Sequence, residues 1–445
     1  MYEQGKKGHR KTSRNTKLVT FINKHLLTTY FKYKPKARIE LEQRGFTDLD
    51  NFADLGKVFI VYGMERLLQV MPRDLPGRLP FLYIYAGVLL SKYRRTRNVQ
   101  ALNQGIMLAQ EVVWDERDHP RRPRRFNYPR PNRPLSLLGQ FFLETYRQTG
   151  RMEDLNQAIS LAENALAATP GNDPRRAVQL HNLGIYLVER YWRVGRISDL
   201  EQGIIMAQEA VEASTQDIAR RARLLDTLSG YLIERHKQSG KISDLEQGII
   251  MAREALETTT WDDPHRAARL HSLGGYLVKK HGLTDRIEDL EQGIRLTQKA
   301  LTATPRSVPC RQEWLCDLGS YLVRRSKRTG RLEDLEQGLA LIQEALDAIP
   351  VDHPDQAVAL YHLGKCLVQR SRRTGRLEDL EQGLATVREV LDATPVDHPS
   401  RAGALHGFSS CLVARYKRTG MIKDLEQGIA LAQKALTATP RDDPR

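Results

Sequence analysis

Cysteine is scarce in this sequence, with four in 445 residues. That excludes a disulfide scaffold. Long hydrophobic runs are missing too. The longest, Leu79 to Leu90, contains Pro80 and Gly87 and falls short of the roughly 20 residues that span a bilayer. The first residues are basic and polar, which is not a secretory signal. Nucleotide and hydrolase motifs are absent as well. Gly5 to Thr12 lacks the Gly-Lys-Thr ending of a phosphate loop, and no His-Glu-x-x-His, Gly-x-Ser-x-Gly or Cys-x-x-Cys occurs. The chain is therefore read as a non-enzyme with no catalytic, metal or cofactor residues.

Positive charge is present in excess, at a formal net +15. Two stretches hold all of it. Residues 1–46 carry twelve Lys/Arg against Glu3, Glu40 and Glu42, and residues 117–133 carry seven Arg against Asp118. Elsewhere the signs balance. Only these two stretches are candidates for nucleic acid or another anionic surface.

Repetition dominates the rest. Asp-Leu-Glu-Gln-Gly begins at Asp199, Asp244, Asp289, Asp334, Asp379 and Asp424, at steps of 45 residues, and Asp154 opens a variant. Gln104-Gly105-Ile106 matches Gln157-Ala158-Ile159 across a longer step. About eight units with both helices start near Leu79, after a degenerate partial one. In the unit from Arg176, Leu180, Leu183, Leu187 and Tyr191 form one apolar stripe at helical spacing. Gly195 stops that helix, as do Gly150, Gly240, Gly330, Gly375 and Gly420, with Asp285 in the same place once. Asp199 is expected to cap the second helix, with Gln202 reaching back in a capping box. Its stripe is Leu200, Ile204, Ala207 and Val211. Most units close with Thr-Pro, as at Thr169-Pro170 and Thr304-Pro305. Helix pairs of this size bury their stripes only by stacking on neighbours.

The units resemble tetratricopeptide repeats. Leu273-Gly274, Gly293, Ala300 and Pro305 stand where that family has Leu-Gly, a small residue, Ala and Pro. The usual period of about 34 is lengthened here. Phrases such as Thr394 to Ala402 and Arg328 to Glu336 are similar to long-period fungal arrays, often fused to CHAT peptidases or NACHT/NB-ARC signalling ATPases. The resemblance implies an all-α, right-handed α-solenoid of antiparallel helix pairs, and a scaffold or sensor that binds protein or peptide in its concave groove. It also implies a signalling setting, and leaves open that the chain is the detached regulatory part of such a peptidase or ATPase.

In such arrays the first helices line the groove, which makes two columns candidates. One reads His181, Asp226, His271, Cys316, Tyr361 and His406. The other reads Glu189, Glu234, Lys279, Arg324, Gln369 and Ala414, changing from acidic to basic. A metal reading of the histidines is weaker, because the column is mixed. Cys366 and Cys411 fall where earlier units have Tyr186, Tyr231, Tyr276 and Tyr321, and are read as small apolar fillers. Cys310 and Cys316 lack a second zinc-spaced pair. Basic clusters such as Arg324 to Arg328, Arg370 to Arg373 and Arg415 to Arg418 close the first helices and complement the helix dipole, with a basic rim for an anionic partner as the alternative.

The organisation expected is a basic arm over 1–47, with a helix near 17–33 docking as a cap; degenerate units over 48–116; a mobile Arg/Pro-rich loop over 117–134; and regular repeats over 135–445. Arg121, Arg122, Arg124, Arg125, Arg130 and Arg133 of that loop are the candidate contacts for an anionic partner, the alternative functional class. Location is expected to be cytoplasmic, with nuclear import through that loop as the alternative. The last unit ends without a polar capping helix, which points to end-to-end association or a piece of a larger protein.

Overall fold

The computed structural model describes residues 64–65, 68–69, 71, 78–118, 132–214, 216–349, 354–393 and 401–438. The expected N-terminal arm and its capping helix lie outside them, as do Arg121, Arg122, Arg124, Arg125 and Arg130. The chain divides into two compact units, Met1–Gly195 and Arg196–Arg445.

The first unit contains α1 (Arg78–Thr96), α2 (Val99–Asp118), α3 (Asn132–Thr149), α4 (Met152–Ala167) and α5 (Arg176–Val194). The second contains α6 (Ile197–Glu212), α7 (Ile218–Ser239), α8 (Ile242–Glu257), α9 (Arg266–Thr284), α10 (Ile287–Ala303), α11 (Cys310–Thr329), α12 (Leu332–Ala348), α13 (Pro354–Thr374), α14 (Leu377–Ala393), α15 (Arg401–Thr419) and α16 (Ile422–Ala438). No strand occurs among the described residues. Within each unit every helix packs on the next, and alternate first helices also touch: α1 with α3, α9 with α11, α11 with α13, α13 with α15. Each unit is thus an all-α stack of helix pairs, the solenoid arrangement that the repeats require.

The second-helix stripe forms the core. Leu200, Leu245, Leu290, Leu335 and Leu380 are each no more than 1% exposed, and Ala210, Ala255, Ala300 and Ala345 are fully buried. At the Leu-Gly pair, a Cβ added to Gly319 would lie 2.8 Å from the Gly338 carbonyl oxygen, and one added to Gly338 would lie 2.9 Å from that of Gly319. Gly274 with Gly293 and Gly364 with Gly383 face each other likewise. The repeat signature is therefore a contact between two backbones, which only the absence of a side chain on both helices permits.

The hairpin turn follows from φ. Gly195, Gly240 and Gly330 end their helices at φ of 74°, 68° and 80°, and each N–H donates to the carbonyl four residues back. Asp285 sits there at φ 57°, where an L side chain is strained. Its ion pair with Arg328, 2.8 Å long and mostly solvent-exposed, returns little. Asp285→Gly is expected to stabilise the chain by about 0.5 kcal/mol, seen as a higher midpoint in urea. An unchanged or lower midpoint removes the strain argument.

The expected cap at Asp199 is not what forms. The second helices begin two residues earlier, after Arg196, Lys241, Arg286 and Arg331, which hold extended backbone and offer no side-chain cap. Asp199, Asp244 and Asp334 are the third helical residues and are buried. The capping box with Gln202 is lost with that shift. The preceding helix supplies the acceptor instead. Ser239 Oγ takes the Lys241 N–H at 3.2 Å, and Thr419 Oγ1 takes the Met421 N–H at 3.3 Å. At the closing end, the Thr259 and Thr304 hydroxyls donate to the carbonyls of Ala255 and Ala300.

The loop boundaries also shift. Arg117 and Asp118 lie in α2, and Arg133 lies in the first turn of α3. Arg133 is therefore a helical residue and not a loop residue.

Candidate functional site

The first helices carry the variable side chains, and their last turns sort one basic cluster into separate jobs. In α11, Arg325 binds Asp334 through two hydrogen bonds, 2.8 and 2.6 Å. Ser326 donates to the Arg331 carbonyl at 2.6 Å, and Arg328 pairs with Asp285. Lys327 has no hydrogen bond or ion pair among the described residues. Its neighbour repeat does the same. Arg370 binds Asp379 through two bonds and Ser371 holds the Arg376 carbonyl. Arg373 reaches the Gly330 carbonyl at 2.7 Å, and Arg372 is left over. Arg415–Asp424 and Arg235–Asp244 repeat the forked pair. These hydrogen bonds raise the guanidinium pKa of Arg235, Arg325, Arg370 and Arg415. Arg221, Arg266, Arg311 and Arg401 each donate to the last carbonyls of the preceding second helix. Reading the clusters as dipole complements missed this division of labour. Its one visible signal was that Arg and Asp recur nine residues apart.

The candidate columns fare unevenly. Glu189 is held in a fork by Arg147 at 3.1 and 3.2 Å. Glu234 pairs with Lys237 on its own helix. Asp226 is half-buried, and burial raises its carboxyl pKa against the pull of nearby Arg269. His271 Nε2 lies 2.9 Å from Asp317 Oδ2, and its ring stacks on Trp314. His181 and Lys279 are half-buried. Cys316 is 4% exposed and packs in the core, so it lines no groove. Its small apolar side chain completes the packing between α11 and its neighbours. Ala414, at 5%, is likewise turned in.

Four of the named residues do come together. Arg324, Tyr361, Gln369 and His406 line one cavity of about 470 Å³ on α11, α13 and α15. Lys327 and Arg372, two members of the basic clusters, line it as well, with His362 and Lys365, which the sequence reading did not single out. The Lys365 ammonium lies 5.1 Å from the centre of the Tyr361 ring. Ser320 Oγ and His362 Nδ1 are 2.6 Å apart, and burial lowers the His362 pKa. Cys366 and Cys411 form part of the wall. Both are 2% exposed, and burial pushes their thiols up to about 12 and about 11. The tyrosines of the same column, Tyr186 and Tyr231, fill their positions with a ring and are themselves buried. In two successive repeats the column shortens from Tyr to Cys, which takes a ring out of the wall at each.

The chain is similar to helical-repeat proteins of known structure. YrrB, a tetratricopeptide-repeat protein with an unusual peptide-binding site, is 19% identical over 52% of this chain and 96% of its own, with a TM-score of 0.32. BtubC from P. vanneervenii is 18% identical over 56% and 91%, with a TM-score of 0.41. IFIT1, solved as a monomeric mutant with Gppp-AAAA, is 14% identical over 87% and 75%, with a TM-score of 0.40. No protein-family model matches the chain, and no curated protein matches it. Among the described residues, no three His, Cys, Asp or Glu side chains are grouped to hold a metal ion. No described helix is long and apolar enough to cross a membrane.

Proposed function

We propose that this chain is a protein-interaction scaffold, holding a partner segment against the exposed face of its first helices. One observation carries the reading. The second helices repeat nearly unchanged, while side chains from three successive first helices converge on a single cavity whose lining differs at every step. Fixed packing with a variable lining is how a repeat array gains a readable surface without altering its core.

A photo-crosslinking residue placed at Gln369, in the cavity, and at Arg295, exposed on α10, tests this in extracts. Discrete adducts from position 369 that are missing from position 295 are expected. The same adducts from both positions, or none from 369, would remove the reading. The experiment also separates the competing classes. A nucleic-acid adduct favours the anionic-surface role of the arm and Arg-rich stretch. An adduct at twice the chain mass favours self-association. Ile429 gives that option a physical basis, being 51% exposed on α16 where its counterpart Leu384 is 6% exposed. A CHAT or NACHT-type protein among the adducts favours the regulatory-part reading.

A further inference from the structure

The turns that join each first helix to its second lie side by side along one edge of the second unit, and side chains tie them together. Arg328 pairs with Asp285 at 2.8 Å. Arg373 donates to the Gly330 carbonyl at 2.7 Å, and Arg418 donates to the Gly375 carbonyl at 3.0 Å. The four turns from α9–α10 to α15–α16 thus form one continuous ridge. One Arg in each of the last three turns makes that link, and others take no part in it. Arg331 and Arg376, just before α12 and α14, are exposed. Their side chains have no hydrogen bond or ion pair among the described residues.

The ridge is cationic and aliphatic together. Residues 327–333, 372–378 and 417–423 hold nine Lys/Arg against Glu333 and Glu378. The segments that lead from a second helix to the next first helix, 346–355 and 391–400, hold five Asp and no Lys or Arg. Positive charge is therefore concentrated where first helices end and second helices begin. At the same place the first residue of each second helix is aliphatic and open to solvent. Leu332, Leu377 and Ile422 are 38%, 44% and 64% exposed.

Two properties select the partner. The ridge offers nearly the same chemistry at each step, whereas the cavity lining changes at every step. A partner read residue by residue needs variation, and a surface that is uniform along its length does not. The aliphatic side chains set the second condition. Single-stranded nucleic acid is held chiefly by bases stacking on aromatic faces, and the three ridge segments contain no Phe, Tyr or Trp. An anionic bilayer uses both groups at once. Lys and Arg meet the charged headgroups, and aliphatic side chains enter the boundary with the acyl chains.

We propose that this ridge is a docking surface for an anionic phospholipid bilayer, with Arg331, Arg376 and Lys423 at the headgroups and Leu332, Leu377 and Ile422 at the acyl boundary. None of these six residues lines the cavity, so the inference stands apart from the scaffold reading.

The test places an environment-sensitive dansyl amino acid at position 377 of the full chain, with position 295 on α10 as the reference. The probes are phosphatidylcholine vesicles, vesicles of equimolar phosphatidylcholine and phosphatidylserine, and an oligothymidylate. Emission from position 377 should shift to the blue with the mixed vesicles alone, and position 295 should not shift. Co-sedimentation supplies the affinity. Arg331→Glu/Arg376→Glu is expected to lower partition onto mixed vesicles by about tenfold or more, since each reversal turns attraction to the headgroups into repulsion. Leu332→Ser/Leu377→Ser leaves the net charge unchanged and should lower it by about fivefold. Arg295→Glu/Lys299→Glu makes the same net-charge change on exposed α10 positions and should partition as wild type. If charge reversal unfolds the chain, Arg331→Gln/Arg376→Gln with an unchanged far-UV spectrum takes its place. The N-terminal arm and the Arg-rich stretch are basic too, so pelleting with the vesicles is not enough. Unchanged emission from position 377 on vesicles that carry the chain down overturns the proposal. So does failure to pellet, equal partition of the ridge variants and wild type, or a larger blue shift with the oligothymidylate than with the mixed vesicles. Crosslinks from position 369 are expected to persist whichever way the ridge is decided.

Discussion

Gly319→Val is expected to cost about 3 kcal/mol, at the upper end of what overpacking a tight site costs. The first atom of the new side chain meets the Gly338 carbonyl oxygen at 2.8 Å and Ile342 Cγ1 at 2.7 Å. The isoleucine can turn, but the carbonyl belongs to the α12 backbone and cannot move alone. Relief requires α11 and α12 to separate, and that opens the buried contacts of Leu322 and Leu335. Gly230→Ala is the matched control. It is also helical, yet an added Cβ has nothing within 4 Å. There the change is expected to stabilise by about 0.5–1 kcal/mol, because alanine loses less conformational freedom in a helix. Urea melts followed by circular dichroism should shift in opposite directions for the two variants. A Gly319→Val midpoint at or above wild type would show that the two backbones are not in contact.

The second large effect concerns the forked Arg–Asp pairs. Asp334→Ala is expected to destabilise by about 2 kcal/mol. Removing one partner of a fully buried pair costs about 3–5 kcal/mol, and that is reduced here because the Arg325 side chain is 20% exposed while Asp334 is at 7%. One repeat offers the converse. Where the other Asp-Leu-Glu-Gln-Gly repeats have Arg, Lys280 stands before Asp289. It lies 3.7 Å from Glu246 instead, and Asp289 Oδ2 is buried without a hydrogen-bond partner among the described residues. A lysine ammonium cannot span both carboxylate oxygens as a guanidinium does. Lys280→Arg is expected to recover about 1 kcal/mol by rebuilding the fork. Thermal melts of the two single variants decide the matter. If Lys280→Arg leaves the midpoint unchanged, the fork is an incidental geometry and not a source of stability.

Any binding study at the α11, α13 and α15 cavity draws on the same sorting of charge. Arg325 and Arg370 are engaged within the fold, so substituting them would confuse stability with binding. Lys327 and Arg372 are exposed and have no hydrogen-bond or ion-pair partner among the described residues, so their charge can be changed with little risk to the core. Adjacent residues in one basic cluster therefore have opposite uses in a binding study.

The sequence alone determined the repeat, the two helices in each unit, their apolar stripes and the glycine stops. All of these are local or periodic. Helical spacing of Leu200, Ile204 and Ala207 is set by the geometry of one helix, and a positive φ at Gly240 by one residue's sterics. Only the tertiary structure decided what faces what. Asp334 reads as a helix cap until the packing of α11 on α12 brings Arg325 against it, because the strength of a charge pair depends on burial and distance. Cys316 reads as a groove residue until the stacking of neighbouring helices turns it inward. The cavity beside Lys327 needs three helices at once, since an empty volume belongs to the gap between elements and to no residue in any of them.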